Sequence, residues 1–412
     1  MDIDIEEFRK AKERLKDVVR YTPVEKSSTV SGMTGGEIYF KCENHQKTGS
    51  FKIRGASNKI AKMVETEGKF PVVTSSAGNH AQGVACAATK FGLDATVVMP
   101  ANAPIAKIQA TEGYGAKVVL FGKCYDDAYE KACEICEKEN AKFIHPYDDV
   151  DVIAGQGTVG MEILESLPDV DAILVPAGGG GLLAGVSAAV KQINPKVKIY
   201  GVQAEGADAI AKSFEMKKRV TTDSVNTIAD GIAVKKPGKI TVELINKYAD
   251  GILTVGDNEI ADAILLLLER GKHVVESAGA TTVAAVLSNK IDVKGKKIVC
   301  VLSGGNIDVS FIGNLIERGL SVRNRRLEFG TNIRDGSDDM IKIVELIFNL
   351  GGNIIDVSMD KSSNLLKANE TRMFVQCEVG GKEHKDKIIA GLKNSGFLIM
   401  TDYDYLKPED RK

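Results

Sequence analysis

The stretch Ala172-Ile173-Leu174-Val175-Pro176-Ala177-Gly178-Gly179-Gly180-Gly181-Leu182-Leu183-Ala184 decides what kind of fold this chain adopts. From Ala172 to Val190 no residue carries a charge, and such a length is roughly enough to span a bilayer. Pro176 and the glycines Gly178 to Gly181 break the run in its middle. It therefore reads as a buried strand, Ala172 to Val175, then a glycine loop, then a buried helix from Leu182. Glycines permit backbone angles that aim successive N–H groups at one anion. The helix start adds partial positive charge, so a phosphate is the natural occupant. A dinucleotide fingerprint also fits Gly179-x-Gly181-x-x-Ala184, with Glu205 as the ribose acid about twenty residues on.

The same alternation runs through the first three quarters of the chain. Short β-branched strands include Pro71 to Thr74, Ala95 to Met99, Lys117 to Leu120, Ile173 to Val175, Ile199 to Val202 and Ile298 to Leu302. Helical periodicity fills the gaps, as in Ala81 to Phe91 and Ile260 to Arg270. The pattern predicts an α/β fold with largely parallel sheets covered by helices. Chemistry in such folds gathers in the loops that follow strands.

The chain has 412 residues, enough for two or three domains. Lys+Arg is 54 and Asp+Glu is 56, so no broad basic field exists to hold nucleic acid or an anionic membrane. The start Met1-Asp2-Ile3-Asp4-Ile5-Glu6-Glu7 is acidic and lacks the apolar core of a signal peptide. The seven cysteines show no disulfide spacing and read as free thiols of a cytoplasmic protein. Cys133-Glu134-Ile135-Cys136 lies in a helix expected over Asp126 to Asn140 and has no second pair nearby. It reads as two packed helix residues, with redox or zinc chemistry as the alternative.

Three further stretches stand beside the glycine loop. They are Thr48-Gly49-Ser50-Phe51-Lys52-Ile53-Arg54-Gly55-Ala56, Ser75-Ser76-Ala77-Gly78-Asn79-His80 and Ser303-Gly304-Gly305-Asn306. Together the four supply an amine, a ring-oxygen partner, a phosphate cradle and a ring-nitrogen partner, the needs of pyridoxal 5'-phosphate (PLP). Their order and wording, from about Tyr21 to Val322, resemble the threonine/serine dehydratase family of fold type II PLP enzymes. The resemblance implies a two-lobe, tryptophan synthase β-like catalytic domain over residues 1–325, with a small lobe at about 51–145.

The resemblance also implies roles. Lys52 holds the cofactor's aldehyde and acts as the base that removes the α-proton. Phe51, Asn79, Gly178, Gly179, Gly180, Gly181, Leu182, Glu276 and Ser303 hold the cofactor. Ser75, Ser76, Asn79 and His80 receive the substrate, although His80 also fits a packed core histidine and Glu276 a plain helix-start residue. A serine at the ring nitrogen leaves the ring neutral, which favours β-elimination over transamination. The expected reaction takes L-threonine to 2-oxobutyrate and ammonia, with L-serine to pyruvate alongside, in isoleucine biosynthesis or threonine catabolism. Serine racemase, serine dehydratase and a non-catalytic amino-acid sensor are the alternatives. Related racemases bind a divalent ion after the glycine loop. Here that region, Gln203 to Asp208, looks short, and no metal is assigned.

Residues 326–412 change character. The expected helix Phe311 to Arg318, stopped by Gly319, closes the first domain. Strand Leu327 to Ile333, helix Asp338 to Leu350, strands Asn353 to Met359 and Arg372 to Glu378, helix Glu383 to Ser395 and strand Phe397 to Met400 then form a ferredoxin-like βαββαβ order. It resembles an ACT domain. That resemblance implies an amino-acid effector, or dimerisation alone, in a homodimer or homotetramer. The usual Pro-Gly turn after the first strand is replaced by Arg334-Asp335-Gly336-Ser337.

Overall fold

Val72, Val73, Thr74 and Ser75 are all buried in their strand, and so are all five residues of Ala172–Pro176. Strands buried on both faces belong to parallel sheets covered by helices, and two such sheets form here. The structure, a computed structural model, describes residues 2–362 and 366–401. It divides into two compact units, Met1–Ile307 and Asp308–Lys412.

The first unit holds both sheets. One is four-stranded and parallel, in the order Lys117–Leu120, Ala95–Met99, Val72–Ser75, Lys142–Phe143. Its core packs Ile60, Met63 and Val84 from the helices Lys52–Thr66 and Asn79–Phe91 against Val72 and Val97. The other is six-stranded, in the order Val24–Lys26, Glu37–Lys41, Lys297–Val301, Ala172–Pro176, Lys198–Ala204, Gly251–Val255. Only its first pair is antiparallel. The expected strands therefore form, each within two residues of the sequence reading. Glu37–Lys41 lies outside the runs singled out above, because its end residues are charged. Lys41 is nevertheless fully buried, held by Glu162 at 2.5 Å.

Three strands deliver the singled-out loops. Val72–Ser75 leads to the helix Asn79–Phe91, Ala172–Pro176 to the helix Gly181–Ile193, and Lys297–Val301 to Ser303. All three loops stand at the carboxyl ends of parallel strands, where open α/β sheets bind ligands.

In the second unit, Arg326–Arg334, Glu370–Glu378 and Asn353–Asp360 form an antiparallel sheet with Glu370–Glu378 in the middle. Ile343 and Ile347 of helix Asp339–Asn349, with Ile388 and Leu392 of Lys382–Asn394, cover it. Two details differ from the sequence reading. The last expected strand, Phe397 to Met400, contributes only one bridge, Met400 to Gly330. The Phe397 amide is already spent on Leu392 O, closing the preceding helix. Gly319 also does not end its helix, which runs Val309–Val322. Asn324, at φ 54°, takes the left-handed position, and the Arg325 amide reaches back to Leu320 O at 2.7 Å. This helix falls within the second compact unit. The range 326–412 extends past the described residues at its end. No helix among the described residues is long and apolar enough to cross a membrane.

Candidate active site

The sequence around Lys52 folds as a helix start because a distant loop holds it there. Ser50 bridges Gly304, and the Phe51 amide donates to Ser303 O at 3.0 Å. Lys52 is the first residue of the helix Lys52–Thr66. Two motifs some 250 residues apart are thereby joined by backbone hydrogen bonds.

A cavity of about 340 Å³ opens beside them. Phe51, Lys52, Ser76, Asn79, His80, Gly178 to Leu182, Glu276 and Ser303 all line it. Of the residues expected to hold cofactor or substrate, Ser75 alone is not in its wall. It is the last strand residue, fully buried, and its Oγ has no partner among the described residues.

Lys52 Nζ donates to the Pro146 carbonyl at 3.0 Å. Burial pulls its pKa down to about 8, against a smaller opposing pull from Glu276. Glu276 is buried, and loss of water pushes its carboxyl up to about 7. Both of its oxygens accept from Asn79 Nδ2 at 2.9 Å. Asn79 Oδ1 in turn accepts from Asn306 Nδ2 at 2.7 Å, which fixes the orientation of the Asn79 amide. His80 Nε2 lies 2.9 Å from the Ile144 carbonyl. A carbonyl can only accept, so Nε2 carries the proton and Nδ1 is left as a buried acceptor without a partner. Burial lowers the His80 pKa to about 3, so the ring stays neutral.

The glycine loop is a fitted cradle. A Cβ at Gly179 would stand 2.4 Å from the Tyr147 ring, and one at Gly178 would stand 2.9 Å from Ile232 Cα. Gly180 sits at φ 96° and caps the helix that begins at Gly181. The first amides of that helix have no intrahelical acceptor and carry the positive end of the helix dipole. Behind the loop, Thr241 Oγ1 donates to Gly179 O at 2.7 Å, and the Gly238 amide donates to the same carbonyl at 3.1 Å. Asp148 accepts from the amides of Lys239, Ile240 and Thr241 and anchors that support. At the rim, Lys107 Nζ pairs with Asp230 Oδ2 at 3.0 Å.

Sequence reasoning passed over Tyr147, Asp148, Thr241, Lys107 and Asp230. None stands in a motif, and each reaches the site only through contacts between distant segments. Asn306 stands in a singled-out motif, but its partner Asn79 was not foreseeable. Glu205, the acid of the dinucleotide reading, is not in the cavity wall and pairs with Lys290 at 3.7 Å.

On the other side of the Lys52 helix, two residues on and about 200° around, Arg54 is wholly buried. Its guanidinium donates to both oxygens of Glu43 at 2.8 Å, and to those of Glu162 at 2.7 and 2.8 Å.

The donor set fits pyridoxal phosphate. A half-buried amine of lowered pKa, a side-chain-free anion cradle at a helix start, an oriented amide and a buried hydroxyl all face one cavity. The family model described as "Pyridoxal-phosphate dependent enzyme" matches residues 15–304, and the chain belongs to that family. It is 48% identical over 397 residues to an L-threonine ammonia-lyase of Thermotoga maritima, covering 96% of this chain and 99% of that protein. Among solved structures, maize serine racemase matches with TM-score 0.74 and 37% identity, over 79% of this chain and 100% of that one. The processed form of threonine deaminase isoform 2 from Solanum lycopersicum matches with TM-score 0.72 and 38% identity, over 77% and 89%.

Proposed function

We propose that this chain is an L-threonine ammonia-lyase, forming 2-oxobutyrate and ammonia, with L-serine to pyruvate as a side reaction. The near full-length identity to a threonine ammonia-lyase supports the substrate. The observation that carries the chemistry is Lys52, an amine of lowered pKa placed beside a glycine-lined helix start.

When bound, pyridoxal phosphate supplies an electron sink that makes an amino acid's α-proton removable. Gly178 to Leu182 would hold its phosphate with backbone amides, and Phe51 would pack beside it. Asn79 would hold the ring oxygen, and Ser303 would donate to the ring nitrogen. Lys52 would hold its aldehyde and would serve as the base for the substrate's α-proton. Only its neutral form can do either, and withdrawal from water favours that form. Ser76 and the helix start at Asn79 suit the substrate carboxylate. Glu276, with a pKa near 7, can hold or release a proton at neutral pH. His80 stays neutral, so it serves as a hydrogen-bonding wall and not as a cation.

For the second unit the reading is an ACT-like regulatory domain. With the Met400 bridge, its sheet order is fourth, first, third, second, the ferredoxin-like arrangement. An amino-acid effector at this unit, a homodimer or homotetramer and a cytoplasmic location complete the proposal.

The test is keto-acid release by the PLP-loaded protein given L-threonine, then L-serine. Rapid 2-oxobutyrate from L-threonine supports the lyase. D-serine from L-serine without keto acid would make it a racemase, the activity named for the maize neighbour.

A further inference from the structure

Away from the cavity, Cys42, His45 and His273 converge. One ligand atom from each lies within 4.8 Å of the other two. None of the three lines the cavity. Cys42 follows the strand Glu37–Lys41, His45 closes the short turn Glu43–His45, and His273 follows the π-turn Leu267–Gly271. π-Turns in helices are frequent at functional sites. Here the turn is followed by Lys272 at φ 59° and then by His273.

His273 is 7% exposed, and its buried Nδ1 has no hydrogen-bond partner among the described residues. A buried imidazole nitrogen without a partner is costly unless a ligand satisfies it. His273 Nε2 lies 3.5 Å from Glu25 Oε2. A carboxylate on one ring nitrogen is the usual way a metal-binding imidazole is oriented through the other. Cys42 Sγ donates to the Phe40 carbonyl at 3.5 Å. His45 is exposed and leaves an entry path.

We propose that Cys42, His45 and His273 form a binding site for a zinc-class divalent cation, with Glu25 orienting His273 and water in the fourth position. Thiolate and imidazole ligands select that class of ion over calcium or magnesium. The size fits. An ion centred among three atoms that lie within 4.8 Å of one another is at most about 2.8 Å from each, and zinc needs roughly 2.0–2.3 Å. Side-chain shifts of under about 1 Å close the gap. The ion would tie the end of a central-sheet strand to the segment that three residues later carries Glu276, whose amide is held by Gly304 O. Its role is a structural clamp behind the active site.

The sequence signal was a Cys-x-x-His pair at Cys42 and His45, overlooked because the third ligand lies 228 residues beyond His45.

The experiment uses untagged, PLP-loaded full-length protein, stripped by chelator and titrated with cobalt(II). Cobalt reports tetrahedral thiolate-imidazole coordination through visible bands away from cofactor absorption. We expect one tight cobalt per chain, displaced by zinc, and a rise in melting temperature on zinc binding. His45→Ala, an exposed change that leaves the core intact, should weaken binding by about tenfold or more. Cys42→Ala should abolish the thiolate signature. Uptake below one ion per chain by the parent, or uptake by both variants equal to the parent's, overturns the proposal.

Discussion

Lys52 and Arg54 stand two residues apart on one helix, both basic and both withdrawn from bulk water, yet their surroundings treat them in opposite ways. Arg54 is given two carboxylates, a threonine hydroxyl and a backbone carbonyl. Burial opposes the charge on Glu43, but Arg54 prevails and holds the Glu43 carboxyl below its usual range. Lys52 is given one neutral carbonyl, and its pKa falls to about 8. Burial with a full set of partners produces a fixed ionic brace. Burial with the counter-charge kept back produces a reactive amine. One helix thus carries an amine of lowered pKa on one face and an ion-paired guanidinium on the other.

The comparison breaks most sharply at Lys52. Lys52→Ala should cut keto-acid release by about 10³-fold or more while leaving the fold intact. Turnover near the parent rate in that variant would remove Lys52 from the mechanism.

Arg54→Met should act in the opposite sense. It leaves Glu43 and Glu162 buried without their guanidinium, a loss of about 3–5 kcal/mol in stability. Urea denaturation of the PLP-loaded protein checks this, and an unchanged midpoint would show that the brace carries no strength.

Gly179→Ala sharpens the reactive side. Its new Cβ would stand 2.4 Å from Tyr147, so the cradle must shift. PLP affinity should fall by about tenfold, in the range of ordinary packing clashes. Gly113→Ala, where a Cβ meets nothing within 4 Å, is the control and should leave affinity unchanged.

The smallest effect is on pH. The Lys52 pKa is lowered, so the amine is neutral above about 8 and protonated below. PLP uptake by apoprotein needs the neutral amine. It should be roughly fivefold faster at pH 8 than at pH 7. A rate flat across that interval would mean that Lys52 is already neutral at pH 7.

Much of the site was legible because each motif is local. Gly178 to Gly181 announce a strand-to-helix turn that tolerates no side chains, and Gly180 at φ 96° with the Tyr147 contact shows why. The order of four such motifs carried the family resemblance. The fourth strand of the second unit was overread, because the residue pattern of Phe397 to Met400 could not reveal that the preceding helix claims the Phe397 amide.

The sequence by itself determined the α/β alternation, the loops at strand ends and the residues that could hold the cofactor. These follow from backbone preferences and hydrophobic period, which act over a few residues. Only the tertiary structure decided that Asn79 meets Glu276 and Asn306, that Lys52 lacks a carboxylate while Arg54 has two, and that Cys42 meets His273. Those outcomes depend on segments tens to hundreds of residues apart being packed together, and burial and charge act through space, not along the chain.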